Sequence, residues 1–267
     1  MSIYGLYLIT GAIGGFLGGL LGLGGGIIFV PFLFFIFNLN DLHSGYLMQS
    51  AVSTSLSCVI ISSFSAAVKH NKNKLINWLL FEKMLPGLIL GSILGVILIT
   101  VLTSDIIKVY YGVLLLIISS YLLYEEDKVY VRKNKNHKYI NIFSFFTGTI
   151  STMLGIGGGT LTTPYFKFYG ESMKKSIATA AACGVPIALL GILVTFFLNG
   201  IFKVFEKTIF DFIDLYAFCI VSAATLLFSY IGAGITYKTN SLLLKKIFCI
   251  TLFLVGMTIL TLSLIHI

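Results

Sequence analysis

The chain has 267 residues, 57% of them hydrophobic and only 10% charged, with a mean hydropathy of +1.00 and a formal net charge of +8. Soluble domains carry about 25% charged residues, so this composition excludes one and predicts a polytopic membrane protein. The basic excess comes with no nucleic-acid motif, and in a membrane chain Lys and Arg mark cytoplasmic loops; the expected partners are the lipid bilayer and a small solute, with no nucleic acid.

Hydropathy predicts eight apolar segments, at 3–37, 45–68, 79–101, 106–124, 140–168, 177–199, 212–237 and 242–265. The first would measure about 52 Å as one helix, far more than a bilayer core needs. It also holds Gly24, Gly25 and Gly26 in a row, and consecutive glycines disfavour helix. Two shorter helices are expected, with a break over 22–26. The segment lacks a basic start and stays apolar to Phe37, which reads as mature protein rather than a signal peptide. The fifth segment repeats the pattern around Gly157, Gly158 and Gly159, with a break over 155–159. Between the fourth and fifth lies the one long polar stretch, EEDKVYVRKNKNHKY at 125–139. It divides the chain into a first repeat (1–124), a linker (125–139) and a second repeat (140–267).

The halves match in sequence. At an offset of 133, Gly15, Leu21, Gly22, Gly24–Gly26 and Pro31 align with Gly148, Leu154, Gly155, Gly157–Gly159 and Pro164. AVSTSLSC (51–58) aligns with SIATAAAC (176–183), pairing Thr54 with Thr179 and Cys58 with Cys183. GSILGVILITVLTSDIIK (91–108) aligns with 228–245, pairing Gly95 with Gly232 and Lys108 with Lys245. If all eight segments cross, Lys and Arg divide 11 to 7 between the two sides; if segments one and five are re-entrant, they divide 15 to 3. The positive-inside rule favours the second arrangement. The expected fold is an all-α membrane protein of two inverted four-segment repeats, each with one broken, re-entrant helix. Both termini lie outside, and the loops at 69–78, 125–139, 167–176 and 238–246 lie in the cytoplasm.

Non-helical backbone survives at membrane depth only where protein or a watery cavity satisfies it. The two glycine breaks are therefore expected at the centre. The helix that starts after each presents unpaired N–H groups and a positive dipole end, which suits an anion. Candidate substrate-binding residues are Gly24, Gly25, Gly26, Gly157, Gly158 and Gly159, with hydroxyls from Ser53, Thr54, Ser55, Thr160 and Thr179. Cys58 and Cys183 could touch a sulfur compound, although small inert packing explains them as well. Gly11 to Gly19 are spaced for close helix packing. His43, His70, His137 and His266 fall at loops or the terminus and are expected on a solvated surface. No catalytic residue, metal site or cofactor is called for: the four cysteines lack metal spacing, and GxSG and HExxH are absent.

At these residues the chain resembles the TauE/SafE family of sulfite exporters and related permeases. The basis is GGLLGLGGGIIFVPFL (18–33), LGIGGGTLTTPYF (154–166), AVSTSL (51–56) and LPGLILGSILG (85–95). The resemblance implies transport of sulfur-containing anions such as sulfite, thiosulfate or organosulfonates across the cell membrane. TLTTPYF and ATAAACG depart from the family pattern and make the two half-sites unequal. The expected function is a secondary transporter of a small anion working by alternating access. A passive anion channel, a membrane assembly factor without transport activity, and a homo-oligomeric state all stay open at this point.

Overall fold

The computed structural model describes residues 2–42, 46–124, 139–202 and 213–265. The linker 125–138, Lys203, Lys207, Asp211, His43, His137 and His266 lie outside the described residues. Ten helices appear among the described residues: α1 (Ile3–Leu21), α2 (Gly26–Leu39), α3 (Leu47–Lys72), α4 (Trp78–Val101), α5 (Ser104–Tyr124), α6 (Ile140–Met153), α7 (Gly159–Phe168), α8 (Met173–Phe202), α9 (Leu215–Thr236) and α10 (Ser241–Ile265). The first and fifth apolar segments are each two helices, parted at the glycines. Seven helices (α1, α3, α4, α5, α8, α9 and α10) are long and apolar enough to cross a membrane. Large apolar side chains cover the outside, among them Leu8, Ile97, Ile117, Phe197, Leu227 and Leu254, as lipid-facing helices require.

The end of α1 and the start of α2 share one geometry with the end of α6 and the start of α7. Gly22 and Gly155 take φ of 70° each, and the N-caps Gly25 and Gly158 take 78° and 75°. Side chains rarely adopt this left-handed region, so glycine is the residue that lets the chain turn at both places. Leu23 N–H donates to the Gly18 carbonyl and Ile156 N–H to the Ser151 carbonyl, closing each helix with a Schellman pattern. At the first break the chain turns back on itself. Gly18 abuts the Gly25 backbone, and the Phe29 ring lies against Gly14; in one straight helix those residues would be turns apart.

Proline adds a second constraint. Pro31 has no N–H for the Ile27 carbonyl one turn earlier. Tyr111 of α5 supplies the donor, its hydroxyl lying 3.1 Å from the Ile27 oxygen.

Small residues set the helix pairs. Gly11, Gly15 and Gly19 of α1 lie on Val221, Thr225 and Ser229 of α9, so the two helices run parallel in close backbone contact. Gly87, Gly91 and Gly95 of α4 meet α6 at Ser144, Phe145 and Thr149 in the same parallel sense. Lipid tails are as apolar as the side chains they replace, so close packing of this kind is what holds helices together in a membrane. Two other pairs are antiparallel. Ser63 and Leu56 of α3 meet Gly184 and Gly191 of α8. Gly112 of α5 meets Gly256 of α10, while the Ser119 hydroxyl donates to the Cys249 carbonyl at 2.9 Å.

One expectation is overturned. His70 is fully buried, its Nε2 3.2 Å from the Gly19 carbonyl. Helix α3 continues to Lys72 and so carries the ring to the carbonyl of Gly19 on α1.

Candidate functional site

The two breaks meet. A Cβ on Gly24 would stand 3.2 Å from the Gly157 Cα, and one on Gly157 would stand 3.0 Å from the Leu23 carbonyl oxygen. Gly26 abuts the Gly155 carbonyl, and Gly159 abuts that of Gly22. Every residue from 21 to 30 and from 151 to 160 is buried. Any side chain at these glycines would push the two strands of backbone apart. The contact line between the breaks is filled by backbone. Helices α2 and α7 both start there with no side-chain cap. Ile28 and Leu161 N–H already turn back to the Gly25 and Gly158 carbonyls at 2.9 and 3.2 Å, which leaves the first two amides of each start without a partner inside the helix.

The candidate hydroxyls divide into distinct roles. Thr54 accepts the amide of Asp214 at 3.1 Å, and Thr179 accepts that of Asn77 at 2.9 Å. Asp214 and Asn77 in turn N-cap α9 and α4. The matched threonines therefore anchor matched helix starts, one in each half. Ser55 donates to the Gly155 carbonyl at 2.8 Å, tying α3 to the second break. The Ser53 carbonyl accepts from Ser57 within α3 at 3.1 Å. The Thr160 hydroxyl is buried at the start of α7 and has no partner among the described residues. Cys58 and Cys183 are both fully buried but fall in separate apolar clusters, so the structure does not bring them together as a pair.

Other groups here were not singled out from the sequence. Ser63 and Ser151 are fully buried beside the breaks with unpartnered hydroxyls; both lie in runs of hydroxyl residues (Ser62–Ser63 and Ser151–Thr152) in which no single one stands out. Lys108 and Lys245, matched by the repeat, are both buried. Lys108 pairs with Asp105 at 2.6 Å and lies 5.3 Å from the Phe34 ring centre. Apolar cavities flank α7 and α3 among the described residues. One of about 380 Å³ is bounded by Ile117, Tyr121, Phe143, Pro164 and Tyr165, and one of about 260 Å³ by Ser57, Ile60, Ile192 and Phe218.

Lipid-facing helices on the outside and a buried meeting of broken helices at the centre define a multi-pass membrane protein of the transporter class. The model of the sulfite exporter TauE/SafE family matches residues 7–259. The chain belongs to that family, which is one of transporters and not of enzymes. A probable membrane transporter protein of Haemophilus influenzae is 27% identical over 253 residues, covering 94% of this chain and 96% of the relative. One of Methanocaldococcus jannaschii is 30% identical over 194 residues, covering 72% and 71%. The Bacillus subtilis protein YunE, also a probable membrane transporter, is 28% identical over 180 residues, covering 60% and 65%. No solved structure matches the chain.

Proposed function

We propose that the protein carries a small anion, of the sulfur oxyanion or sulfonate class, across the cell membrane by alternating access of two inverted repeats. The repeats are residues 1–124 and 140–267, joined by a cytoplasmic linker at 125–139. One observation carries the reading: two matched glycine breaks, far apart in sequence, lie backbone to backbone in the buried centre. Broken helices that meet near the midplane at a repeat interface are how many secondary transporters build a solute site. Inversion is supported by chain direction. The matched helices α3 and α8 run antiparallel to each other, and so do α5 and α10; a twofold axis in the membrane plane relates elements in that way. The tight turn at Gly22–Gly25 supports a re-entrant first segment, with α2 returning toward the face where α1 began. The filled contact between the breaks corresponds to a closed arrangement, and rocking one half against the other would bare the helix starts to one side at a time. The family's name supports a sulfur-containing anion as cargo. An inside-negative potential would favour export by about 2.3 kcal/mol per charge per 100 mV.

The test is sulfite flux in proteoliposomes. Wild type should show saturable uptake and counterflow, whereas Gly25→Val and Gly158→Val should abolish both and still insert. Wild-type flux in the two variants would remove the breaks from the transport site, and currents of many ions per opening would make the protein a channel.

A further inference from the structure

We infer that the anion is held by the hydroxyls of Ser63 and Ser151, in a seat that belongs mainly to the second break; this deepens the carrier reading and rests on it. Hydroxyls in apolar helices ordinarily bond back to their own carbonyls. Thr149 and Thr162 do so, each at 2.9 Å, to Phe145 and Gly158. Ser63 and Ser151 do not: both are fully buried, and neither hydroxyl has a partner among the described residues. A buried hydroxyl without a partner is unfavourable and rare. Twelve Ser and Thr hydroxyls share that state among the described residues, and Ser63 and Ser151 are the two whose oxygens lie against glycines of the breaks, where a ligand could partner them.

Their placement fits an anion. The Ser63 oxygen lies 2.6 Å from where a Cβ of Gly24 would stand and 2.5 Å from that of Gly184, a position itself 2.7 Å from the Gly157 carbonyl oxygen. Ser63 thus sits where the two breaks cross. The Ser151 oxygen lies 3.6 Å from the Cβ position of Gly158, the residue that opens α7 without a side-chain cap. Leu161 N–H already turns back to the Gly158 carbonyl, so the donors near the Ser151 hydroxyl are the first two amides of α7 and the buried Thr160 hydroxyl, with the flexible end of Ile187 packed against the same Cβ position. Apart from the Gly157 carbonyl near Ser63, the free groups at this place are donors, and the complement of such a set is an oxyanion.

The seat is one-sided. At the matched positions of the other half stand Ala188 for Ser63, Gly18 for Ser151 and Ile27 for Thr160. Gly18 is pressed against Gly25, and the Phe29 ring covers Gly14, so the first break is sealed by packing where the second offers donors. Thr54 and Thr179, by contrast, already spend their oxygens on helix-start amides.

The experiment uses the purified full chain, read by sulfite-induced thermal shift in detergent and by sulfite flux in proteoliposomes. Ser63→Ala and Ser151→Ala should keep the ligand-free Tm at or above that of wild type, because each removes an unpaired hydroxyl. Each should abolish the sulfite-induced shift and raise KM about tenfold or more with little change in maximal rate, the size expected for a lost hydrogen bond to a charged group. Ser151→Thr, which keeps the hydroxyl, should restore the shift. Thr149→Val, at a back-bonded hydroxyl, should leave KM unchanged. Wild-type KM and thermal shift in both alanine variants would overturn the seat while leaving the carrier reading intact. A wild type that neither shifts with nor moves sulfite, thiosulfate or sulfoacetate would remove both.

Discussion

Thr54 and Thr179 illustrate how one residue type serves two ends. The repeat pairs them, and hydroxyls near an anion site invite a binding role. In the structure their oxygens accept the amides of Asp214 and Asn77, which begin α9 and α4. Removing either oxygen leaves a partly buried N–H unpaired, a loss of about 1–3 kcal/mol. Thr54→Val and Thr179→Val should therefore each lower the thermal unfolding temperature in detergent, and Thr→Ser should recover most of it. The Ile27 carbonyl teaches the same lesson. Pro31 takes away its usual donor, and Tyr111 from a helix far along the chain replaces it. A proline in an apolar run signals a missing hydrogen bond; which side chain fills it is decided by the fold.

Among the elements, the α1–α9 and α4–α6 pairs show what the small residues do. Gly11, Gly15 and Gly19 read from the sequence as a packing stripe, and their partner is α9, whose backbone they touch directly. A side chain at Gly15 would meet the Thr225 Cα at 2.8 Å, backbone that cannot yield without separating the helices. Gly15→Leu should lower the melting temperature strongly, by an overpacking loss of about 1–3 kcal/mol or more. Gly234 is a fair control. A Cβ there first meets the flexible end of Lys69 at 3.1 Å, so Gly234→Ala should melt close to wild type in the same assay. The stripe was legible because glycine at every fourth position leaves few other uses. Its partner was not, because the first helix of one half packs on the fourth helix of the other, and no local pattern carries that pairing.

For the whole molecule, the testable matter is which face each end reaches. A first segment that enters and returns puts Ser2 and Leu42 on one side and the α3–α4 turn at Asn73 on the other. Single cysteines at these positions, in a background freed of Cys58, Cys183, Cys219 and Cys249, should label accordingly with an impermeant thiol reagent in intact cells. Ser2 and Leu42 should react from outside, and Asn73 only after the membrane is opened. Labelling of Ser2 and Leu42 from opposite faces would mean that the first segment crosses, and the inverted arrangement would fall with it.

The sequence by itself determined the membrane class, the segment limits to within a few residues, the two breaks and the family. Each follows from local chemistry: hydropathy, glycine's conformational range and a repeated motif. Tertiary structure alone decided that the breaks touch, that His70 is buried against Gly19, that the matched threonines are spent on helix starts, and that Ser63 and Ser151 stand unpaired beside the crossing. Those outcomes depend on which groups the fold brings together, His70 and Gly19 across 51 residues and Thr54 and Asp214 across 160, and a serine or histidine looks the same in sequence whether its partner is present or not.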